Sequence, residues 1–248
     1  MADELERVIA ANLEGLERRI AAACARVGRE RGEVTLVAVS KTRSIAEIMA
    51  AYSAGIRHLG ENRVEEAEEK VPALRESFAA DPITWHMIGH VQSRKASRAV
   101  EFCDIIHSVD SLHLAARLDR FAAELGKQMP ILLEVNVSGE ASKYGFVASE
   151  PAARADLIRQ VGQLAGFAHL RVEGLMTMAP IVTDSEQARP VFRALRQLRA
   201  DLRDRAPVSS WAELSMGMTD DFEVAIEEGA TMVRIGRAIF GPATYWER

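Results

Sequence analysis

Apolar positions along the chain follow two alternating patterns. Residues 3–29 carry apolar side chains at helical spacing (Leu5, Val8, Ile9, Leu13, Leu16, Ile20), which predicts a long first helix. Eight short apolar runs follow, each with the length and composition of a strand, at 34–40, 56–60, 83–89, 104–109, 130–137, 170–176, 211–217 and 231–236. The segments between them are mostly rich in helix-forming residues and predict helices at 44–54, 62–79, 91–101, 111–125, 149–165, 185–205 and 219–228.

Strict alternation of strands and helices predicts a parallel α/β fold. Eight strands in a chain of 248 residues fit a single (β/α)8 barrel with an extra N-terminal helix. The alternative is an open doubly wound sheet, but no GxGxxG motif follows the first strand. After the eighth strand the chain continues only with "GRAIFGPATYWER", so we expect one domain over residues 1–248.

Composition and charge narrow the function. The net charge of −5 gives no reason to expect nucleic-acid binding or a membrane-surface habit. Cys24 and Cys103 match no metal or redox spacing, so we expect reduced packing thiols in a cytoplasmic protein. The acidic, amphipathic N-terminus is unlike a signal peptide, and no apolar run approaches the roughly 20 residues that span a bilayer.

Active sites of such barrels form where strands end and the following loops begin. The first strand ends in "AVSK", and alternation places Lys41 on the same face as Val37 and Val39. If that face lines the barrel, the Lys41 amine points at its mouth and could bond to an aldehyde. On this stretch alone, a lysine that has reached solvent fits better. Asn62, after the second strand, fits a helix N-cap better than a ligand contact.

The loops after the seventh and eighth strands, "ELSMGMTDDFE" and "VRIGRAIFG", carry the clearest prediction. Barrels commonly bind phosphate there, with backbone N–H groups at the start of a short extra helix. Ser215, Gly217, Thr219 and Gly236 supply hydroxyls and room for close approach. Ordinary turn chemistry is the alternative for the two hydroxyls, but the pairing of both loops favours a phosphate site.

Arg234 lies inside the eighth strand and faces the barrel interior if Val233 and Ile235 face the helices. It either pairs with a carboxylate such as Glu134 or Glu213, or it donates to an acceptor on a ligand. An amine, an arginine and an anion site together suit pyridoxal 5′-phosphate, which has an aldehyde, a ring nitrogen and a phosphate. They also leave open a phosphosugar aldolase.

Several motifs in register resemble the pyridoxal phosphate homeostasis protein family: "AVSKT", "GENRVEE", "WHMIGHVQSRK", "VNVSGEASKYGF", "GLMTMAP" and "ELSMGMTDDFEVAIEEGATMVRIGRAIFG". The resemblance spans residues 34–241. It implies the barrel of alanine racemase without that enzyme's C-terminal β-domain. The chain departs from the family pattern at His90 and Arg94, where a proline and an asparagine are common.

The resemblance also implies a role for each matching residue. Lys41 would carry pyridoxal 5′-phosphate as an internal aldimine, and Arg234 would hydrogen-bond the ring nitrogen. The residues that would hold the phosphate are Ser215, Thr219, Gly236 and, through its backbone N–H, Arg237. Asn62 would lie beside the ring, and Met87 would line the pocket, with core packing as its alternative.

A racemase needs a base on each face of the bound substrate, and no motif places Tyr144 or Tyr245 as the second base. We therefore expect a non-catalytic, monomeric cofactor-binding protein. The resemblance implies a role in vitamin B6 homeostasis, with apo-enzymes that require the cofactor as its recipients. A weakly active racemase is the alternative.

Overall fold

The computed structural model describes residues 2–140, 142–206 and 209–242. Its strands are β1 (Thr35–Val39), β2 (His58–Glu61), β3 (Thr84–Met87), β4 (Ile105–Val109), β5 (Met129–Asn136), β6 (Phe146–Val147), β7 (Leu170–Met176), β8 (Glu213–Ser215) and β9 (Met232–Ile235). The eight predicted strands are all present. The addition is β6, a two-residue strand that pairs with the end of β5 outside the barrel.

Eight strands close into a parallel barrel. Their order is β4-β3-β2-β1-β9-β8-β7-β5, and a further pairing between β4 and β5 joins the two ends. Every pairing between neighbouring strands is parallel. The prediction of a (β/α)8 barrel is confirmed, and the open doubly wound sheet was the wrong alternative.

The helices surround this barrel. They are α1 (Ala2–Arg26), α2 (Ile45–Ser53), α3 (Val64–Leu74), α4 (Ala96–Phe102), α5 (Leu112–Glu124), α6 (Pro151–Val161), α7 (Arg189–Arg205), α8 (Phe222–Glu227) and α9 (Arg237–Phe240). The extra helix α1 packs against α2, α8 and α9, so it covers the barrel where β9 pairs with β1. None of the described helices is both long and apolar enough to cross a membrane.

The seven helices predicted between residues 44 and 228 are all shorter in the structure, and α3 and α4 show two different reasons. The helix predicted at 62–79 ends at Leu74, shortly after Pro72, whose ring removes a backbone donor from the last turn. The helix predicted to start at 91 begins as a single 3-10 turn over Ser93–Lys95, and α4 follows from Ala96. The short helix predicted in "GRAIFG" is α9.

Alternation along each strand separates two regions of packing. Val233 and Ile235 belong to the large apolar core between strands and helices. Between them in the sequence, Arg234 points into the lumen of the barrel, as predicted. A small apolar layer also fills the lumen, formed by Ile105, Leu132, Met176 and Met232. Closer to the carboxyl ends of the strands, the lumen is lined by polar side chains, and the candidate site lies there.

Candidate cofactor site at the barrel mouth

Lys41 is the second residue after β1, at the end of the barrel where the strands finish, and its side chain is exposed. A Cβ built on Gly60 of β2 would lie 3.0 Å from Val37 Cγ1, so Val37 and Gly60 face each other from neighbouring strands. Alternation from Val37 through Val39 places Lys41 on the lumen side of the rim. The lysine is thus at the mouth, as predicted, and it is solvent-exposed there.

A buried ion-pair cluster includes Ser40, the residue just before this lysine. We call it the Lys70 cluster: Ser40, Glu61, Glu66 and Lys70. The Lys70 ammonium donates three hydrogen bonds, to the Ser40 carbonyl (2.7 Å), Glu61 Oε1 (2.9 Å) and Glu66 Oε2 (2.7 Å). Ser40 Oγ also donates to Glu61 Oε1 (2.7 Å). All three hydrogens of the ammonium are therefore used, and the cluster ties β1 and β2 to α3.

Both neighbours of Lys41 are held by the Lys70 cluster. Ser40 is a member of it, and the Thr42 N–H donates to Glu66 Oε2 at 2.7 Å. Thr42 has φ 61°, in the left-handed region that residues with a Cβ rarely adopt. Such a conformation costs about 1 kcal/mol or more and persists only where the surroundings enforce it. Hydrogen bonds therefore fix the backbone on both sides of Lys41.

The two carboxyl groups of the Lys70 cluster differ in pKa. Burial raises the pKa of Glu61 to about 7, although the Lys70 ammonium and the Ser40 hydroxyl oppose this. Burial also acts on Glu66, but hydrogen bonds from Lys70 and the Thr42 N–H outweigh it and lower the pKa of Glu66. Near neutral pH, Glu66 is thus the ionised partner of Lys70, while Glu61 is poised between its two protonation states.

Arg234 is buried in the lumen of the barrel. Its Nη1 donates to Ser215 Oγ (2.6 Å) and its Nη2 donates to the Thr177 carbonyl (2.9 Å). Burial lowers the pKa of Arg234 to about 10, with Asp221 and Glu134 opposing the shift, so the guanidinium stays charged near neutral pH. A guanidinium has five N–H groups, and these two bonds leave donors for a ligand.

A carboxylate partner for Arg234, Glu134 or Glu213, was one of the two alternatives for this residue. Neither Glu134 nor Glu213 forms an ion pair with it in the part of the chain that the structure describes. Glu213 instead bonds to the Thr231 hydroxyl. Thr177 was missed as a partner, because a backbone carbonyl on another strand leaves no trace in residue type.

Ser215 lies inside the lumen, deeper than the loop residues that are predicted to hold a phosphate. Its side chain is fully buried, and its hydroxyl bonds both to Arg234 and to His107 Nδ1, the latter at 2.9 Å. The hydroxyl thus supports the arginine from inside the lumen. Ser215 is the last residue of β8, and its contact with a phosphate stays a prediction.

The other predicted phosphate residues do meet at one place. Gly217 and Thr219 lie in the loop after β8, and Gly236 is the N-cap of α9, immediately after β9. Gly217 has φ 94°, and a Cβ there would lie 2.6 Å from Ala225 Cβ, so only glycine fits. Arg237 begins α9 with an exposed side chain that pairs with Asp220. Its phosphate-binding role stays a prediction for the backbone N–H.

Asn62 and Met87 lie in different surroundings. The N-cap of α3 is Arg63, with no side-chain cap, so the N-cap interpretation of Asn62 was wrong. Asn62 sits half-buried at the rim, and its carbonyl would be 2.1 Å from a Cβ on Gly89, so the loops after β2 and β3 touch. Met87 is fully buried in the large core between strands and helices, which supports packing rather than a place in the pocket.

The loop after β3 contains the two departures from the family pattern. His90 Nδ1 lies 3.2 Å from Asp110 Oδ2, and its ring stacks on Tyr144 with centroids 4.2 Å apart. Arg94 donates to Gln92 Oε1 at 3.0 Å. Tyr144 is exposed, and Tyr245 lies outside the described residues. This aromatic stack joins the loops after β3, β4 and β5 on one side of the mouth.

Glu134 lies in β5 on the same face as Leu132, which faces the lumen, and the pKa of its carboxyl group is raised. Burial is the main cause, and the Asp110 carboxylate adds to it, so that the pKa of Glu134 rises to about 7 despite Arg234. The folded protein therefore holds this proton more tightly than the unfolded chain does. Its contribution to stability is present below the ordinary value of 4.5 and is lost as the pH rises through about 7.

We expect Glu134→Gln to flatten the pH dependence of stability. The free energy of unfolding of the wild type should fall between pH 5 and pH 8 by on the order of 3 kcal/mol more than that of the variant. Urea unfolding at a series of pH values measures this difference. Glu124→Gln, at an exposed position on α5, is the control. Parallel curves for wild type and Glu134→Gln would contradict the assignment.

The chain is similar to a known family, to relatives of known name and to solved structures. Residues 11–244 match the family described as alanine racemase, N-terminal domain. A pyridoxal phosphate homeostasis protein from Escherichia coli is 40% identical over 242 residues, covering 96% of this chain and 97% of that protein. The structure of PipY from Synechococcus elongatus with PLP bound is 38% identical, with a TM-score of 0.80 over 94% of this chain and all of the other.

A more distant likeness shows the fold alone. An alanine racemase from Clostridium difficile superimposes with a TM-score of 0.69 at 16% identity, and this chain covers 58% of that enzyme's length. The family match and the curated relatives agree with the resemblance seen in the sequence motifs. The chain belongs to the pyridoxal phosphate homeostasis protein family, whose barrel is that of the alanine racemase N-terminal domain.

Proposed function

We propose that the chain binds pyridoxal 5′-phosphate at the barrel mouth, with the Lys41 amine bonded covalently to the cofactor's aldehyde. Arg234 carries this proposal. Its buried guanidinium donates to two uncharged oxygens, forms no ion pair among the described residues and keeps further N–H groups. A pyridine nitrogen is a neutral acceptor that such a donor suits. The relative PipY, solved with PLP bound, supports the same cofactor.

The remaining residues are assigned by their place around the mouth. We propose that the Thr219 hydroxyl and the backbone N–H groups of Gly236 and Arg237 hold the phosphate, since unpaired N–H groups at a helix start favour an anion. Asn62 would contact the cofactor from the end of β2, the strand next to that of Lys41. We assign Ser215 to the support of Arg234 and leave Met87 in the core.

We further propose that the protein holds the cofactor rather than using it for robust catalysis. When bound, the cofactor supplies an electrophilic aldehyde on an electron-withdrawing ring. An arginine donor keeps the ring nitrogen unprotonated, which weakens electron withdrawal compared with a carboxylate partner. The relatives named as homeostasis proteins support a buffering or delivery role. We place this role in the cytoplasm and assign it to a monomer acting as one domain.

Titration of the purified protein with pyridoxal 5′-phosphate tests the binding proposal. We expect a visible absorption band that saturates near one equivalent, and a borohydride-reduced adduct that peptide mapping locates at Lys41. Absence of the band at saturating cofactor would refute the proposal. It would leave open the phosphosugar aldolase interpretation, which a phosphosugar aldehyde with borohydride would then test.

Delivery is tested by mixing the cofactor-loaded protein with an apo-enzyme that requires pyridoxal 5′-phosphate. Reactivation faster than the release of cofactor into buffer would support direct transfer, and reactivation at the release rate would support buffering alone. Conversion of an L-amino acid to its D-form at a catalytic rate, lost in Lys41→Ala, would instead establish the racemase alternative.

A further inference from the structure

Three histidines from neighbouring strands form a hydrogen-bonded file inside the barrel. We call it the histidine column: His58 of β2, His86 of β3 and His107 of β4. His58 Nδ1 lies 3.0 Å from His86 Nε2, and His86 Nδ1 lies 2.8 Å from His107 Nε2. The file begins at the half-buried His58, where β2 starts, and ends on Ser215, across the lumen on β8. Ser215 in turn contacts Arg234.

The column consists of neutral rings. Burial lowers the pKa of His86 to about 3 and holds the pKa of His107 well below its ordinary range. Burial also lowers the pKa of His58. A neutral imidazole has one N–H donor and one acceptor nitrogen. Each link in the column therefore has a single direction, and the direction of one link sets that of the next.

Arg234 fixes this direction, because a guanidinium only donates. Ser215 Oγ accepts from Arg234 Nη1. A second accepted bond, from His107, would leave the buried hydroxyl hydrogen without a partner, so the hydroxyl donates instead. Among the described residues, the other partner of this hydroxyl is His107 Nδ1. His107 Nδ1 is then an acceptor, so the hydrogen is on Nε2 and is donated to His86 Nδ1. By the same step, His86 Nε2–H donates to His58 Nδ1.

We propose that the histidine column is a one-way hydrogen-bond chain that holds the Ser215 hydroxyl as an acceptor for Arg234, making His86 and His107 positioning residues for the cofactor site. The chain orients the guanidinium between Ser215 Oγ and the Thr177 carbonyl. Its remaining N–H groups are thereby aimed in a fixed direction. This inference rests on the proposed function in that Arg234 is the residue facing the ring nitrogen.

Packing alone does not account for the column. The same lumen contains an apolar layer, so aliphatic side chains can fill this barrel. A buried polar group left without a partner costs roughly 1–3 kcal/mol. In the column, both ring nitrogens of His86 and both of His107 have a hydrogen-bond partner. A polar file that leads to the buried arginine Arg234 is explained by what it does for that arginine.

The tautomers give a test that needs no cofactor. In the cofactor-free protein labelled with 15N, long-range proton–nitrogen spectra of the histidine rings should show hydrogen on Nε2 and a bare Nδ1 for His86 and His107. Hydrogen on Nδ1 of His107 would overturn the proposal, because the chain would then run toward Ser215. Failure of the wild type to bind pyridoxal 5′-phosphate would refute the proposed function, but it would not change the tautomers expected for His86 and His107.

Substitution of His107 gives the second test, read as cofactor affinity rather than activity. His107→Leu removes the acceptor of the Ser215 hydroxyl, and we expect the dissociation constant for pyridoxal 5′-phosphate to rise about tenfold. The adduct at Lys41 should still form. His107→Asn can place an amide oxygen near the site of Nδ1 and should recover most of the affinity. The exposed His113, replaced by leucine, is the control.

An unchanged dissociation constant in a folded His107→Leu variant would overturn the proposal. If His107→Leu fails to fold, the tautomers of the wild type and the affinity of His107→Asn decide the matter. An affinity of His107→Asn that is as low as that expected for the leucine variant would count against the role of Nδ1 as an acceptor.

Discussion

Replacing Lys41 by alanine is expected to abolish the borohydride-stable adduct with pyridoxal 5′-phosphate while leaving the fold intact. The amine is the group we assign to the cofactor's aldehyde, and Lys41 is the lysine that follows β1. The Lys41 side chain is exposed, so its loss should change the free energy of unfolding by no more than about 0.5 kcal/mol. Mass spectrometry after reduction and urea unfolding measure the two effects.

Two further variants sharpen this experiment. Lys41→Arg keeps the positive charge at the mouth but has no amine for the aldehyde, so it should bind the cofactor only without a covalent bond. Lys127→Ala removes a lysine just before β5, whose ammonium donates to the Val100 carbonyl at 2.9 Å, and should leave the adduct unchanged. An adduct of wild-type yield in Lys41→Ala would show that another lysine carries the cofactor.

The position of Lys41 could be predicted because it depends only on the order of the strands and on where the first one ends. The alternation of apolar runs and helices gives the barrel, and the end of the first strand then lies at its mouth. Arg234 follows from the same periodicity within β9. Met87 shows the limit of this reasoning, because it neighbours His86 on the opposite face of the same strand. The motif "WHMIG" alone does not say which of these two adjacent residues faces the lumen.

The contacts that hold the site together were not predicted, since each joins segments far apart in the chain. Lys70 lies in "VEEAEEK", which is typical of a solvated helix face, and yet it is buried. Its role depends on the packing of α3 against the ends of β1 and β2. The histidine column has a weak trace in the sequence, because "IRHLG", "WHMIG" and "IIHSV" each place one histidine in a strand. Only the closed barrel shows that their rings meet.

Replacing Lys70 by methionine should destabilise the protein by about 3–5 kcal/mol, because it leaves ionised Glu66 and the Ser40 carbonyl without their buried donor. The pKa of Glu61, already about 7, should rise further without the nearby ammonium. Urea unfolding at pH 7 measures the loss of stability. Lys95→Met is the matched control, because Lys95 forms a partly exposed ion pair with Glu65, and such pairs contribute about 0–1 kcal/mol.

The double variant Lys70→Met/Glu66→Gln tests whether the loss of stability comes from a buried carboxylate left without its partner. Without the Glu66 carboxylate no uncompensated charge remains buried, so the double variant should be more stable than Lys70→Met alone. If the penalty came only from lost packing of the lysine stem, the second substitution would recover nothing.

The same variants connect the Lys70 cluster to cofactor binding. Thr42, next to Lys41, keeps its left-handed backbone while its N–H donates to Glu66. Once Lys70 no longer fixes Glu66 and Ser40, the backbone around Lys41 can relax, and the amine loses its set position at the mouth. We therefore expect the Lys41 adduct to form several-fold more slowly in folded Lys70→Met than in the wild type, at equal cofactor concentration. An unchanged rate would mean that the cluster stabilises the barrel without positioning the lysine.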